Sequence, residues 1–286
     1  MRFARAFFIA LLPLAAVGCL TDGTRAKWLN PFPLLGGGQD PESALVQYVV
    51  IERPAGTEDI NRRAWDNVDE QVLPFETRSV LEEAGLRVGT TGESAPGVLR
   101  KLIDDPRTTA GHRARTFGLD RPAALVLSGN MHRSEFSIPA ANGTKSEFGR
   151  NQVVLGFEMT VRDGPEGKVL VKLVPRARYH DPSQLLPADA ADRGLATEIF
   201  PAAGFEIALM PNEYLVVGTD DYWEGTFGNQ AFAGEKEARP VQRLLVLRAT
   251  RNRAGKDSPV LLSGADDQAV APPIASQAGT VRGARP

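Results

Sequence analysis

Between residues 153 and 179 the chain alternates as an antiparallel hairpin must. Leu155, Phe157, Met159 and Val161 fall on one face, and Glu158, Thr160 and Arg162 on the other. Asp163-Gly164-Pro165-Glu166-Gly167 supplies a turn. Residues 168–179 then return with Val169, Val171, Leu173, Ala177 and Tyr179 inward and Lys168, Lys172, Arg176 and Arg178 outward. A period of two buries one face only if the backbone is extended. Two such runs across this turn predict a hairpin whose apolar face needs a second layer.

The same period recurs nearby. Phe205, Ile207 and Leu209 alternate, Pro211-Asn212 turns the chain, and residues 214–218 come back, predicting a second hairpin. Residues 123–127 and 242–248 add strands, while 130–149 and 180–203 read as long polar loops. Residues 122–263 are therefore expected to form an antiparallel β domain, sandwich-like or a partly open barrel.

Upstream, residues 44–105 carry a different pattern. Residues 45–51 (Leu-Val-Gln-Tyr-Val-Val-Ile) are apolar on nearly both faces, as a central strand should be. Pro54 and Gly56 end that strand and Thr57 can cap a helix, in which Ile60, Ala64, Val68 and Val72 recur at fourfold spacing. Pro74 opens a second helix over 75–84, which Gly85 stops. A short strand at 86–89 and a third helix at 96–103 complete the order β-α-α-β-α. The expected class is thus α+β: a small β-α-α-β-α module over 44–105, a polar linker at 106–121, and the antiparallel β domain. An Ala-, Pro- and Gly-rich tail, residues 264–286, is expected to be disordered.

The N-terminus constrains location. Arg2 and Arg5 precede an apolar run over residues 6–17, closed by small Gly18 and then Cys19, the only cysteine of the chain. The run is interrupted by Pro13 and falls short of the ~20 residues that span a bilayer. Ala16-Val17-Gly18-Cys19 resembles the lipobox of bacterial lipoproteins, with Ala16 where that family usually has Leu. The resemblance implies that residues 1–18 are a signal peptide and that Cys19 is lipidated as the new N-terminus. Leu20 after the cysteine implies sorting to the outer membrane, facing the periplasm. Membrane contact would run through lipid on Cys19, and residues 19–43 would form a tether of about 25–30 Å mean reach. Lipidation leaves no thiol for disulfides, metal ligation or nucleophilic catalysis.

Loss of Arg2 and Arg5 from 33 basic side chains leaves 35 acidic ones in excess. No basic stripe marks a nucleic-acid partner. His112, His132 and His180 stand far apart with no metal-ligand spacing, so neither metal nor cofactor is expected. No nucleophile elbow, phosphate loop or dinucleotide fingerprint occurs, and Ser128 and Ser134 read as ordinary loop serines. The densest functional pattern is Asp220-Asp221-Tyr222-Trp223-Glu224. Paired carboxylates beside aromatic rings serve glycosidases as acid and base, and they also suit a partner contact centred on Tyr222 and Trp223. The outward basic row of Lys168, Lys172, Arg176 and Arg178 is a solvated face, or one that meets anionic lipid or cell-wall polymer.

These features favour a non-enzymatic envelope lipoprotein that binds an unknown envelope protein or polymer. One alternative is an envelope carbohydrate hydrolase using Asp220, Asp221 or Glu224. The other is an accessory protein, since an α/β module before β hairpins resembles the periplasmic parts of secretion-channel proteins.

Overall fold

The computed structural model describes residues 43–252, except 93–94, 96, 108–112, 182–194, 221–222 and 237–238. β1 (Ser43–Pro54) buries Val46, Tyr48 and Val50 on one face and Val49 and Ile51 on the other, as its two-sided apolarity predicts. The next helix is shorter than its spacing implies. α1 (Glu58–Asn61) is one turn, followed by a 3-10 turn at Arg63–Trp65. Thr57 donates its hydroxyl to the Pro54 carbonyl at 2.6 Å instead of capping. Asp69 is drawn into extended pairing with Thr90 through bonds of 2.7 and 3.1 Å, so the chain beyond Trp65 cannot stay helical.

α2 (Phe75–Glu83) starts after Pro74 and ends where Gly85 predicts. Gly85 takes φ +74°, its N–H reaches the Glu82 carbonyl, and Leu86 N–H reaches that of Leu81 at 2.8 Å. That pair of bonds is a Schellman cap. β2 (Arg87–Thr91) and α3 (Gly97–Asp104) follow, the latter burying Leu99, Leu102 and Ile103.

The remaining strands are β3 (Arg113–Gly118), β4 (Ala123–Val126), β5 (Met131–Pro139), β6 (Lys145–Asp163), β7 (Val169–His180), β8 (Leu195–Ile199), β9 (Phe205–Leu209) and β10 (Tyr214–Gly218). A short helix α4 (Phe227–Phe232), β11 (Ala233–Lys236) and β12 (Arg239–Arg251) close the described chain. The fold is mostly antiparallel β in two sheets, neither a closed barrel. One has the order β2-β10-β12-β1-β3 with β11 against β12; the other has β4-β6-β7-β8 with β5 on β6 and β9 on β7.

Alternation along the strands builds two cores. Val46, Val50, Leu245 and Leu247 of the first sheet share one buried cluster with Leu155, Phe157, Val171 and Leu173 of the second. On the opposite face of the first sheet, Val49, Ile51, Val216 and Val246 join Ile60, Trp65, Leu99 and Leu102. α1 and α3 therefore cover the outer face of the first sheet, the two sheets pack as an open sandwich, and Leu81 of α2 with Phe227 and Phe232 of α4 joins the core between them.

Four expectations change. The two strands of the predicted 44–105 module do not pair with each other: β1 lies between β12 and β3, and β2 pairs with β10 and, at Thr90, with Asp69. The predicted linker contains β3, an edge strand whose single buried side chain, Phe117, leaves no periodic signal. The polar loops contain β5, the start of β6, and β8. The predicted hairpin over 205–218 is a crossing, because β9 joins β7 in one sheet and β10 joins β2 and β12 in the other. Asn212, at φ +70°, turns the chain at that corner. The hairpin over 153–179 forms in the register that its alternation requires, with Leu155 opposite Ala177 and Val161 opposite Val171.

Candidate functional site

The acidic and aromatic loop after β10 is fixed at both ends. Thr219 is buried and its hydroxyl donates to the Gly85 carbonyl at 2.8 Å. At the far end Thr226 caps α4, accepting from Asn229 N–H, and donates its hydroxyl to the Trp223 carbonyl at 2.6 Å. Gly225 O also accepts from Ser137 N–H of β5 at 2.8 Å. Asp220 and Trp223, next to these anchors, are positioned without a long element of their own.

This loop forms one wall of a cleft of about 280 Å³, whose other wall comes from α2 and β2. Asp220 and Trp223, both half-buried, face Arg78, Glu82, Arg87 and Glu70 across it. Arg87 is committed to structure. It grips Glu70 bidentately with two bonds of 2.7 Å, donates to Asn61 O, and lies 4.3 Å from the Trp65 ring. Arg78 is different. Its Nε is buried without a hydrogen-bond partner, and its guanidinium has no carboxylate partner among the described residues. It lies 5.9 Å from the ring of Phe75, which is 72% exposed at the start of α2. An unpaired guanidinium beside an exposed aromatic ring, in a cleft that Trp223 also lines, resembles half of an interface, since Trp, Tyr and Arg dominate binding hot spots.

Of the five residues singled out in the sequence, the structure brings Asp220 and Trp223 into this cleft. Glu224 is exposed and does not line it, and Asp221 and Tyr222 lie outside the described residues. The remaining carboxylates of the cleft are Glu82 and the Arg87-clamped Glu70. A hydrolytic pair made of Asp220 and Glu224 is therefore not assembled across it. Cys19 also lies outside the described residues.

The histidines are placed differently from expectation. His132 is in β5 and His180 ends β7, so two of the three belong to strands, and both line one open cleft with Arg133 and Arg150. His112 lies outside the described residues. Among those described, no group of three or more His, Cys, Asp or Glu is placed to hold a metal ion. Ser128 is buried and accepts from Leu155 N–H at 2.8 Å, and Ser134 donates to Gln230 of α4, so both hydroxyls serve packing. Of the basic row, Lys168 pairs with Glu166, while Arg176 donates to Thr197 at 3.4 Å. Arg78, Arg87 and Glu70, which line the cleft with Asp220 and Trp223, carried no signal in the sequence as members of a site, because nothing local ties residues 70–87 to a loop beyond position 219.

Comparison with models of known protein families and with curated proteins found no match for the chain.

Proposed function

We propose that this chain is a lipid-anchored protein of the bacterial cell envelope that holds a partner protein at the Trp223 cleft and performs no chemistry on it. The observation that carries the binding role is Arg78, a cation without a carboxylate partner among the described residues, near the Phe75 ring and lining the same cleft as Trp223. An unsatisfied buried donor costs on the order of 1–3 kcal/mol, a cost that a partner's carboxylate would remove. Phe75, 5.9 Å from Arg78, is 72% exposed, an apolar surface that α2 does not use for its own packing. The complementary partner therefore presents an acidic side chain next to an apolar or aromatic one. The anchor rests on the resemblance at residues 16–19. The secretion-channel alternative has less support, because the strands of its supposed module belong to a sheet completed by β10 and β12.

A photoreactive phenylalanine analogue in place of Trp223 should give a light-dependent adduct with one envelope protein in intact cells. Arg78→Ala should weaken capture by about thirtyfold or more, as expected for a ~2 kcal/mol hot spot. Capture that is unchanged by Arg78→Ala would remove the binding role from this cleft. Turnover of an envelope glycan that is lost in Asp220→Asn would replace binding by hydrolysis.

A further inference from the structure

On the outer side of the second sheet, β6 changes partners. Residues 145–153 pair with β5, whereas 154–163 pair with β7 and 156–159 with β4. At the junction Gln152 takes φ +51°, a left-handed conformation uncommon for a residue with a Cβ. Positive φ in the middle of a strand is a local cost that persists where the surroundings impose it, and such residues cluster at binding sites. Gln152 lines two neighbouring cavities and is the one described residue common to both.

The first cavity, about 320 Å³, is mainly apolar. Val126, Val154 and Leu195 line it, together with the polar Asn130, Arg176 and Arg178. Val126 and Leu195 are 51% and 36% exposed, and neither is needed by the core beneath. Backbone contributes to the floor, because β4 crosses so close to Gly156 that a Cβ there would lie 2.1 Å from the Leu125 carbonyl oxygen. The second cavity, about 520 Å³ and more open, is lined by His132, Arg133, Arg150 and His180. Arg133 is partly neutralised by Glu135. Arg150 has no carboxylate partner among the described residues and is held over the rings of Tyr179 and Phe148, at 5.3 and 5.8 Å. Glu158, half-buried on the same strand face as Val154, is the nearby acidic group of β6.

We infer that these two cavities form a single site for an anionic phospholipid, taking an acyl chain over Val126 and Leu195 and the phosphate at Arg150, His132 and His180. An apolar arm of ligand-pocket size that opens into a cationic arm matches an amphiphile with a negative head. A free phosphate would leave the apolar arm unused, and a neutral lipid would leave Arg150 unanswered. Guanidinium and imidazole N–H groups suit a phosphate oxygen through charge-assisted bonds. The site is built from β4 to β8 and does not depend on the reading of the Trp223 cleft.

The test uses the full-length protein in detergent, titrated with dihexanoyl phosphatidic acid, dihexanoyl glycerol or inorganic phosphate and read by native mass spectrometry. Phosphatidic acid should bind as a one-to-one adduct at least tenfold more tightly than either other probe. Arg150→Ala combined with His180→Ala should weaken it about tenfold, and Val126→Asp alone should do the same through the apolar arm. All three side chains are at the surface, so unchanged melting temperatures should accompany these losses. Should Arg150→Ala disturb its aromatic platform, Val126→Asp still decides the matter. Equal binding of the neutral lipid, phosphate binding as tightly as the phospholipid, no adduct, or binding indifferent to Val126→Asp would each overturn the inference.

Discussion

Gly228→Val should prevent the protein from accumulating in folded form, and Gly228→Ala should lower its stability by about 3 kcal/mol. A Cβ at Gly228 would lie 1.9 Å from the Gly85 carbonyl oxygen and 2.3 Å from its carbon, both backbone atoms. Neither side can withdraw. Gly228 N–H donates to Ala84 O at 2.8 Å, and Gly85 sits in the Schellman cap of α2 with φ +74°. The Gly85 carbonyl also accepts from buried Thr219, and a Cβ on Gly85 would meet the Thr226 hydroxyl at 1.9 Å. Two elements far apart in sequence therefore touch backbone to backbone, with both contact residues glycine. For a fold of this size, 3 kcal/mol corresponds to a drop of about 10 °C in Tm, measurable by circular dichroism. Gly129→Ala is the control: nothing lies within 4 Å of its added carbon, so its Tm should move by no more than a degree or two. Wild-type melting in Gly228→Ala would show that α4 can shift away from α2, contrary to the packing described.

Cys19→Ala should abolish acylation and release the protein from membranes. Each buried methylene contributes ~0.8 kcal/mol, so a lipoprotein's two or more acyl chains hold where one holds only marginally. Without them the chain has only the apolar run over residues 6–17, shorter than a bilayer requires. Among the described residues no helix is long and apolar enough to cross a membrane. Labelled palmitate should appear on the wild type and be absent from the variant, with the protein moving to the soluble fraction. Retention of unlabelled Cys19→Ala in the membrane would identify residues 6–17 as an uncleaved anchor instead.

Legibility of the fold followed the locality of its causes. The 153–179 hairpin and the Pro74 and Gly85 limits of α2 were readable, because each is set by neighbours along the chain. β3 was not, since one buried residue, Phe117, makes no period. β5 was hidden by charge: Arg133 and Glu135 face solvent and pair with each other, and its buried apolar residues, Phe136, Ile138 and Pro139, cluster at one end. The apolar spacing through Val72 read as helix because fourfold recurrence says nothing of Asp69 being claimed by Thr90. At the site, Asp220 and Trp223 stood out as types clustered in sequence. Arg78 did not, because its significance is an absence, a missing carboxylate that becomes visible only when α2 and the loop share a cleft.

The pairing of β1 with β12 carries a kinetic consequence. Gln47 meets Arg248 across the ladder although 201 positions separate them, so the central ribbon of the first sheet is also its least local contact. Such topology raises contact order and slows folding into the millisecond-to-second range or beyond. While the protein is being made, β1 waits unpaired on that edge until the last described strand emerges. If the chain is exported as proposed, this delay would keep the first sheet from closing before passage through the membrane is complete.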